Sequence, residues 1–364
     1  MSVYKYVRPE RIDILEKSLI RFTQPAYFND PFEMKPFVHS LASDRLLNSL
    51  SNSLTNDSSE LKDMIESAID LRLGEINAEE LERGLKLDLM QYYSWAYPQR
   101  SDKEIRDYVN KKLLKFVHNN NVDHTSVKRF YTDTIIGILD ANPQIQVNFT
   151  QYLSAYMIEM FNLMYPSVVT QLQQFCTYQI GVLSLSETVP VGKDEDGKNI
   201  VMWAHYTDNH AGFVIEFDDT HCFFDQRLND HDMMRHLRHV EYSMVRPNIT
   251  LIETDTGELD NEKLTNHFMV NFFYTKSRAW EYEKEVRMLL PLEAGQKLAD
   301  SKEDIYLFSL PSDSLKGIYL GYKIQPNIRQ KISELLKNDS RYSHVKLYQM
   351  SPDEKEFLLN VQTI

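Results

Sequence analysis

The spacing of apolar residues changes twice along the chain, and this change limits the fold more than any other feature. Between residues 41 and 175, apolar side chains recur every three or four positions, as in ELKDMIESAIDLRL and KEIRDYVNKKLLKFV, which is the period of an amphipathic helix. Outside that region, short runs rich in β-branched and aromatic residues, such as TYQIGVLSLS and GFVIEF, favour strands. We therefore predict an α+β fold with a mixed β-sheet core built from residues 1–40 and 176–364, and an all-helical insertion at 41–175.

Local signals refine this outline. Asn29-Asp30-Pro31 indicates a turn, because Pro31 fixes its own φ and disfavours a helical conformation at Asp30. Ser101 followed by Glu104 predicts a capping box at the start of a helix. The segment VGKDEDGKN is typical of a polar loop. Near the C-terminus, the order GIYLGY, PNIRQKISELLKN, HVKLYQM predicts a crossover that joins two parallel strands.

Charge balance and cysteine content exclude several classes of protein. The chain carries 53 acidic and 40 basic residues, a net charge of −13, so a protein that coats nucleic acid is not expected. Two cysteines are too few for a disulfide scaffold or a four-cysteine zinc site. No apolar run approaches the ~18 residues of a membrane span, and the first residues lack the apolar segment of a signal peptide. We therefore expect a cytoplasmic protein.

Polar residues collect in four separated clusters, and the first lies near the N-terminus. It contains Tyr6 in YKY, Arg21 in an apolar strand pattern, and Asn29, Asp30 and Glu33 in FNDPFE. A buried arginine requires an anion, which is either a carboxylate or a ligand phosphate, whereas an arginine on an exposed strand face requires none. Asn29 and Asp30 can equally serve the turn by binding local backbone amides.

The second and third clusters lie on either side of the polar loop. Ser184 and Ser186 point to the same face of a predicted strand, where two hydroxyls can bind a ligand or cap the next turn. The third cluster, MWAHYTDNH, places His205, Tyr206 and His210 just before the strand GFVIEF. Loops beside core strands commonly bind ligands, although each histidine can also have a purely structural role.

The fourth cluster runs from Lys276 to Arg287, around the start of the predicted strand VRMLLPL. If the strand pattern extends backwards, Glu281, Glu283 and Glu285 face one way and Arg287 continues the row. Three carboxylates on one face repel each other unless Lys276, Arg287 or a ligand compensates them. The cluster is therefore either a solvated charged face or a carboxylate site for acid–base work.

Taken together, the four clusters resemble a widespread bacterial family described as a domain of unknown function. Its members share YKY, an FNDPFE-type turn, SLSE followed by MWAHY and GF.IEFD, and a K…W.YE.E.R segment. These motifs stand here in order, at Tyr4–Tyr6, Phe28–Glu33, Ser184–Asp218 and Lys276–Arg287. The resemblance implies a bacterial cytoplasmic protein. It does not extend to residues 41–175 and implies no particular reaction.

A second, shorter resemblance suggests a reaction. The order Arg21, Ser184-x-Ser186, Glu283-x-Glu285 is similar to the Arg, Ser-x-Ser, Glu-x-Glu pattern of arginine-type ADP-ribosyltransferases. This similarity implies that NAD is the cofactor, bound as ADP-ribose donor, and that a protein or nucleic acid is the acceptor. A role in phage defence would suit such chemistry. The implied roles are catalysis by Glu285 with Glu283 orienting the acceptor or water, phosphate binding by Arg21, and further cofactor contacts by Ser184, Ser186, Tyr6, Tyr206 and Trp280.

Two other functions remain open. A non-catalytic sensor or interaction protein would bind a nucleotide-like molecule or a peptide in the same site. Its helical insertion would then bind a partner or form a homo-oligomer through the Met- and Tyr-rich run YLSAYMIEMFNLMY. A metal-dependent hydrolase or nuclease would use His205, His210, Asp208 and a carboxylate from 281–285, although this spacing matches no defined ligand motif. We therefore assign no metal.

Overall fold

A computed structural model describes residues 2–56, 62–63, 65–67, 70, 78–119, 123–142, 146–192, 198–253, 261–298 and 304–364. Most of ELKDMIESAIDLRL and of the loop VGKDEDGKN lies outside these residues. The described chain forms a large mixed sheet and a helical middle region, so the predicted α+β fold is confirmed. No helix in the described ranges has the length and apolar character needed to cross a membrane.

The chain divides into two compact units. Unit 1 comprises Met1–His39, Pro166–Ile249 and Asn261–Ile364, and unit 2 comprises Ser40–Tyr165 and Thr250–Asp260. The helices of the middle region are α2 (Asp44–Asn56), α3 (Ala78–Ala96), α4 (Asp102–Asn119), α5 (His124–Ala141) and α6 (Gln146–Tyr178), of which α6 continues into unit 1.

Unit 2 is held together by apolar and aromatic side chains. Leu89 and Val109, on α3 and α4, are fully buried among them. Helix α4 begins with the predicted capping box, which is confirmed. The Ser101 N–H donates to Glu104 Oε2 at 2.8 Å, and the Glu104 N–H donates to Ser101 Oγ at 3.4 Å.

Unit 1 is organised around an eight-stranded sheet. Its strands, in spatial order, are β15 (Leu359–Thr363), β14 (Lys346–Pro352), β13 (Leu315–Leu320), β5 (Phe213–Asp218), β1 (Ser2–Val7), β4 (Ile180–Ser186), β10 (Glu285–Pro291) and β6 (Arg238–His239). Strands β13 and β14 are parallel and are joined through helix α9 (Pro326–Asn338), which confirms the predicted crossover. The central strands β4 and β10 are buried on both faces, one face being apolar and the other carrying Ser184, Ser186, Glu285 and Arg287.

Several smaller strands and helices lie outside the large sheet. Helix α1 (Asp13–Lys17) precedes β2 (Leu19–Phe22), which belongs to a three-stranded sheet with β12 (Tyr306–Ser309) and β11 (Gln296–Lys297). Two strand pairs follow, β3 (Phe37–Ala42) with β8 (Asn248–Ile252), and β7 (Glu241–Ser243) with β9 (Thr275–Ser277). The remaining helices are α7 (Lys198–Tyr206) and α8 (Asn261–Phe273).

Candidate functional site

A cavity of about 370 Å³ opens where two neighbouring strands of the large sheet separate. Strands β1 and β4 are adjacent but pair only at Tyr4–Ser186; along the rest of their length β1 pairs with β5 and β4 pairs with β10. Side chains from both strands line the cavity. The predicted site residues that line it are Tyr6, Asn29, Glu33, Ser184, Ser186, His205, Tyr206, Lys276, Glu283 and Glu285.

Two carboxylates lie side by side on the cavity wall. The Lys276 ammonium donates to Glu283 Oε2 at 2.7 Å and to Glu285 Oε2 at 3.0 Å, and it lies 3.6 Å from Glu33 Oε1. All four side chains are almost completely buried. One lysine therefore holds together carboxylates that come from the first and the fourth sequence clusters.

Arg287 completes the ionic network behind this wall. Its Nε donates to Glu285 Oε1 at 2.7 Å, and its second terminal nitrogen donates to Glu285 Oε2 at 2.9 Å and to Glu33. The guanidinium also donates to the backbone oxygen of Phe273 at 2.6 Å and lies 5.8 Å from the ring centroid of Phe28. The motif FNDPFE thus has a role at the site, because its Phe28 and Glu33 both contact the arginine.

The backbone conformation that places Glu283 at the cavity wall differs from the predicted strand. Residues Arg278–Glu283 form a 3-10 helix, and β10 begins only at Glu285. The prediction that Glu281 and Glu283 lie in one row with Glu285 on a strand face is therefore wrong. Glu281 is exposed and forms an ion pair with Arg278. Lys284, with a φ of +42°, ends the 3-10 helix in a left-handed conformation, and the carboxylates of Glu283 and Glu285 on either side of it both bind Lys276. Glu285 and Arg287 share a strand face, as predicted.

Hydrogen bonds from two other predicted residues hold Glu283 in place. The Tyr206 hydroxyl donates to Glu283 Oε1, and the Ser186 hydroxyl donates to the backbone oxygen of Glu283. Burial raises the pKa of Glu283 above its ordinary value, and the nearby Glu285 raises it further, whereas Lys276 and Tyr206 oppose the rise. Glu283 is thus a carboxyl group able to exchange a proton nearer to neutral pH than an exposed glutamate.

The two cations of the network remain charged at neutral pH. Burial alone would lower the pKa of Lys276, but Glu285 and Glu283 hold it above its ordinary value. Burial lowers the pKa of Arg287 to about 9, and Asp30 opposes that effect. Two cations therefore face the three carboxylates of Glu33, Glu283 and Glu285, which leaves one negative charge in excess when all three are ionised.

Five predicted site residues, Arg21, Asp30, Trp280, Arg287 and His210, lie outside the lining of this cavity. Arg21 is half-buried on β2, with its guanidinium 5.6 Å from the ring centroid of Tyr27, which does line the cavity. Trp280 packs behind the wall, 5.2 Å from the Lys276 ammonium. Asp30 accepts the Phe32 N–H in the predicted turn and lines a second cavity of about 230 Å³. Arg287, described above, is fully buried.

The two histidines of the third cluster diverge. His205 lies on α7 and its Nδ1 is 2.9 Å from the Tyr282 hydroxyl at the cavity. After α7, Asp208, Asn209 and His210 all have positive φ, and this turn places the His210 ring against Trp203 and Tyr322. In the described part of the chain, no group of three or more His, Cys, Asp or Glu side chains could hold a metal ion.

Sequence reasoning missed two basic residues of the cavity, Lys5 and Arg8. The alternation of residues along β1 does mark Lys5, because it lies on the same strand face as Val3 and Val7, which pack in the main apolar core. Arg8 follows β1, and its position depends on Gly212, where a Cβ atom would lie 2.1 Å from the Val7 oxygen. No local pattern in the sequence marks that contact between β1 and β5.

Comparisons with known proteins agree with the first resemblance only at its coarsest level. A family model described as "Protein of unknown function (DUF2971)" matches residues 202–288, which include the end of α7, all of β5 and the Lys276–Arg287 segment. No curated protein and no solved structure matches the chain. Through residues 202–288, the chain is therefore similar to a family of proteins of unknown function.

Proposed function

We propose that the cavity is the active site of an enzyme that uses NAD as an ADP-ribose donor and transfers the ADP-ribose to an acceptor or to water. The observation that carries this proposal is the Lys276 ammonium bound to both Glu283 and Glu285 at the cavity wall. Cleavage of the bond between nicotinamide and ribose develops positive charge on the sugar, as in glycoside hydrolysis. Adjacent carboxylates stabilise that charge.

The chemistry divides between the two glutamates. Glu285 is fixed by Arg287 and Lys276, so its carboxylate is positioned to face the sugar as positive charge develops. Nicotinamide departs with the electron pair of the broken carbon–nitrogen bond. The incoming acceptor or water forms the new bond to the same carbon and gives its proton to Glu283, whose raised pKa suits it to a general base. Atoms and charge balance without an oxidant or a reductant.

The shape and lining of the cavity support a nucleotide-like ligand. Its volume of about 370 Å³ lies in the range of roughly 300–1,000 Å³ of small-molecule sites. Tyr4, Tyr27 and Phe28 supply aromatic surface, and Ser184 supplies a polar edge. Tyr206 acts in this proposal as a hydrogen-bond donor to Glu283, instead of stacking on a ring.

The acceptor and the cellular setting belong to the same proposal. A protein or nucleic acid is the expected acceptor, and the helical unit 2 is a surface for a partner or for a second copy of the chain. NAD is an intracellular metabolite, so the proposed setting is the bacterial cytoplasm. Loss of NAD or modification of an acceptor would suit a role in phage defence.

The direct test is to incubate the purified protein with NAD and cell extract, and to measure both nicotinamide release and transfer of labelled ADP-ribose. Glu285→Gln and Glu283→Gln keep the size of each side chain but remove its charge. Each is expected to lower nicotinamide release by about 10²–10⁴-fold, because a positioned carboxylate contributes that order of rate.

Glu281→Gln is the matched control, since Glu281 lies in the same segment but is exposed. It should leave the rate unchanged. Thermal unfolding of each variant separates loss of activity from loss of fold. Undiminished release by Glu285→Gln, or no release by a folded wild-type protein, would contradict the proposal.

A non-catalytic ligand-binding module is the second candidate. It is favoured by one observation: every carboxylate oxygen of Glu283 and Glu285 already accepts a hydrogen bond within the protein. Such a network can be a rigid wall against which a ligand binds. In that case NAD or ADP-ribose would bind with measurable heat in calorimetry, and nicotinamide would not be released.

A further inference from the structure

Two basic side chains line the cavity without a carboxylate partner. Lys5 is half-buried, and its ammonium donates to the backbone oxygen of Ser184 at 2.8 Å. Arg8 is exposed at the cavity and follows the last residue of β1. Neither forms an ion pair with a carboxylate of the described residues, in contrast to Lys276 and Arg287. A partly buried cation without a counter-ion, such as Lys5, is suited to bind an anionic ligand, and the guanidinium of Arg8 adds charge-assisted donors beside it.

The surroundings of Lys5 strengthen this reading. Loss of hydration lowers the pKa of Lys5 to about 8, and the positive charges of Arg11 and Arg21 lower it further, while Glu285 acts in the opposite direction. Lys5, which lines the cavity, is thus within electrostatic reach of two further cations that lie outside the lining. An anion bound there would relieve their repulsion and favour the charged form of Lys5.

We infer that Lys5 and Arg8 bind the two phosphates of a nucleoside diphosphate whose attached sugar faces Glu283 and Glu285. The cavity then has two chemically distinct sides, a cationic side for phosphate and a carboxylate side for the sugar on which positive charge develops. The identity of the ligand rests on the proposed function. The anion site itself rests on Lys5 and Arg8. It favours a substrate that carries a diphosphate over a free nucleoside.

The first experiment measures binding without requiring turnover. Pyrophosphate and ADP-ribose are titrated calorimetrically into the wild type, Lys5→Met, Arg8→Gln and the double variant. Each single substitution should weaken binding of both ligands by roughly 10- to 100-fold, as expected for loss of a charge-assisted hydrogen bond. Lys331→Met and Arg329→Gln make the same charge changes at exposed positions of α9 and should leave binding unchanged.

Lys5→Arg restores the charge and should recover much of the affinity, which a purely structural loss would not allow. Equal binding of pyrophosphate to the wild type and the double variant would overturn the inference, and so would equal weakening by the α9 controls.

A kinetic comparison links the anion site to the reaction. With NAD as donor, Lys5→Met and Arg8→Gln should raise KM, whereas release of nicotinamide from nicotinamide riboside, which has no phosphate, should be unaffected. Equal loss with both donors would count against a phosphate role. If neither donor is cleaved by the wild type, the proposed function fails, and the calorimetric result still decides whether the anion site exists.

Discussion

The two units of the chain bury different kinds of side chain. Among the described residues, every buried charged side chain belongs to unit 1, and these are Asp30, Glu33, Lys276, Glu283, Glu285 and Arg287. The buried polar residues of unit 2 are neutral ones, such as Ser51 and Thr132. Both units have a substantial apolar core.

The buried charges of unit 1 are expected to cost stability, whereas the apolar core of unit 2 adds to it. A buried ion pair rarely stabilises a fold more than apolar packing does, because both charges lose their hydration. A chain able to pack unit 2 with apolar side chains has no structural need for six charges in unit 1. Four of the six line one cavity, and such a concentration of buried charge is the pattern expected of a functional site.

The largest expected effect is on the stability of unit 1. Arg287→Met leaves Glu285 and Glu33 buried without their main partner, and breaking a buried pair in this way costs about 3–5 kcal/mol. Urea unfolding would measure the loss. Arg341→Met is the control, because its ion pair with Asp339 is much more accessible to solvent than that of Arg287 and should contribute far less to stability. Equal losses in both variants would remove the contrast between buried and exposed charge.

A matched change in unit 2 should destabilise the protein without acting on the site. Leu89 is completely buried, and Leu89→Ala should cost about 2–5 kcal/mol through lost packing and the cavity left behind. Nicotinamide release per folded molecule should remain at the wild-type rate. A proportional loss of activity at a temperature where the variant is still folded would mean that unit 2 contributes to catalysis.

The fold was predictable where one physical pattern decides each element. The helical period of KEIRDYVNKKLLKFV corresponds to α4, and the C-terminal strand–helix–strand order corresponds to β13, α9 and β14. Such patterns are local, because an element must place its apolar side chains on one face or, in a central strand, on both. What could not be predicted is the separation of β1 from β4, since it depends on pairing between residues far apart in the chain.

The site was predictable in composition and less so in geometry. Ser186, Tyr206, Lys276, Glu283 and Glu285 do converge, although they come from three of the four clusters. The turn at Lys284 was missed because a glutamate-rich alternation gives no sign of a left-handed residue. Lys5 was not predicted, because a single charged residue between two tyrosines does not by itself reveal which face of the strand is buried.

A smaller effect is expected on the titration of Glu283. Tyr206→Phe removes a hydrogen bond to the carboxylate, so the pKa of Glu283, already raised by burial, should rise further. A hydrogen bond to a charged group is worth about 1.5–3 kcal/mol, so its loss should change the titration measurably. The ionised base then persists only at higher pH, and the acidic limb of the pH–rate profile for nicotinamide release moves upward.

Tyr322→Phe is the control for that shift, because Tyr322 is a partly exposed tyrosine that packs on His210, away from the carboxylates. Its profile should coincide with that of the wild type. Carboxyl carbon resonances followed by NMR would report the same pKa change in the absence of turnover. An acidic limb that stays in place, or moves downward, in Tyr206→Phe would show that Glu283 is not the titrating base.

The smallest effect concerns the surface of unit 2. Ser101→Ala removes the hydroxyl that caps α4 and should cost about 0.5–2 kcal/mol. The Ser101 N–H and hydroxyl both donate to the Glu104 carboxylate and lower its pKa, and Ser101→Ala removes the hydroxyl bond. The contribution of that bond is present above the ordinary pKa of glutamate and is lost as pH falls through the lowered pKa. The difference between wild type and variant in urea unfolding should therefore narrow on acidification.

Double variants test whether the contacts within each unit act independently, beginning with Ser101→Ala combined with Leu89→Ala in unit 2. A cap on the surface and a side chain in the core share no partner, so their free-energy losses should add within about 0.5 kcal/mol. Arg287→Met and Glu33→Gln share an ion pair and should couple strongly, because the second change removes a charge that the first leaves buried. If the free-energy losses were additive in both pairs of substitutions, the ion pairs of unit 1 would be independent contacts. The proposal that they act together as one site would then fail.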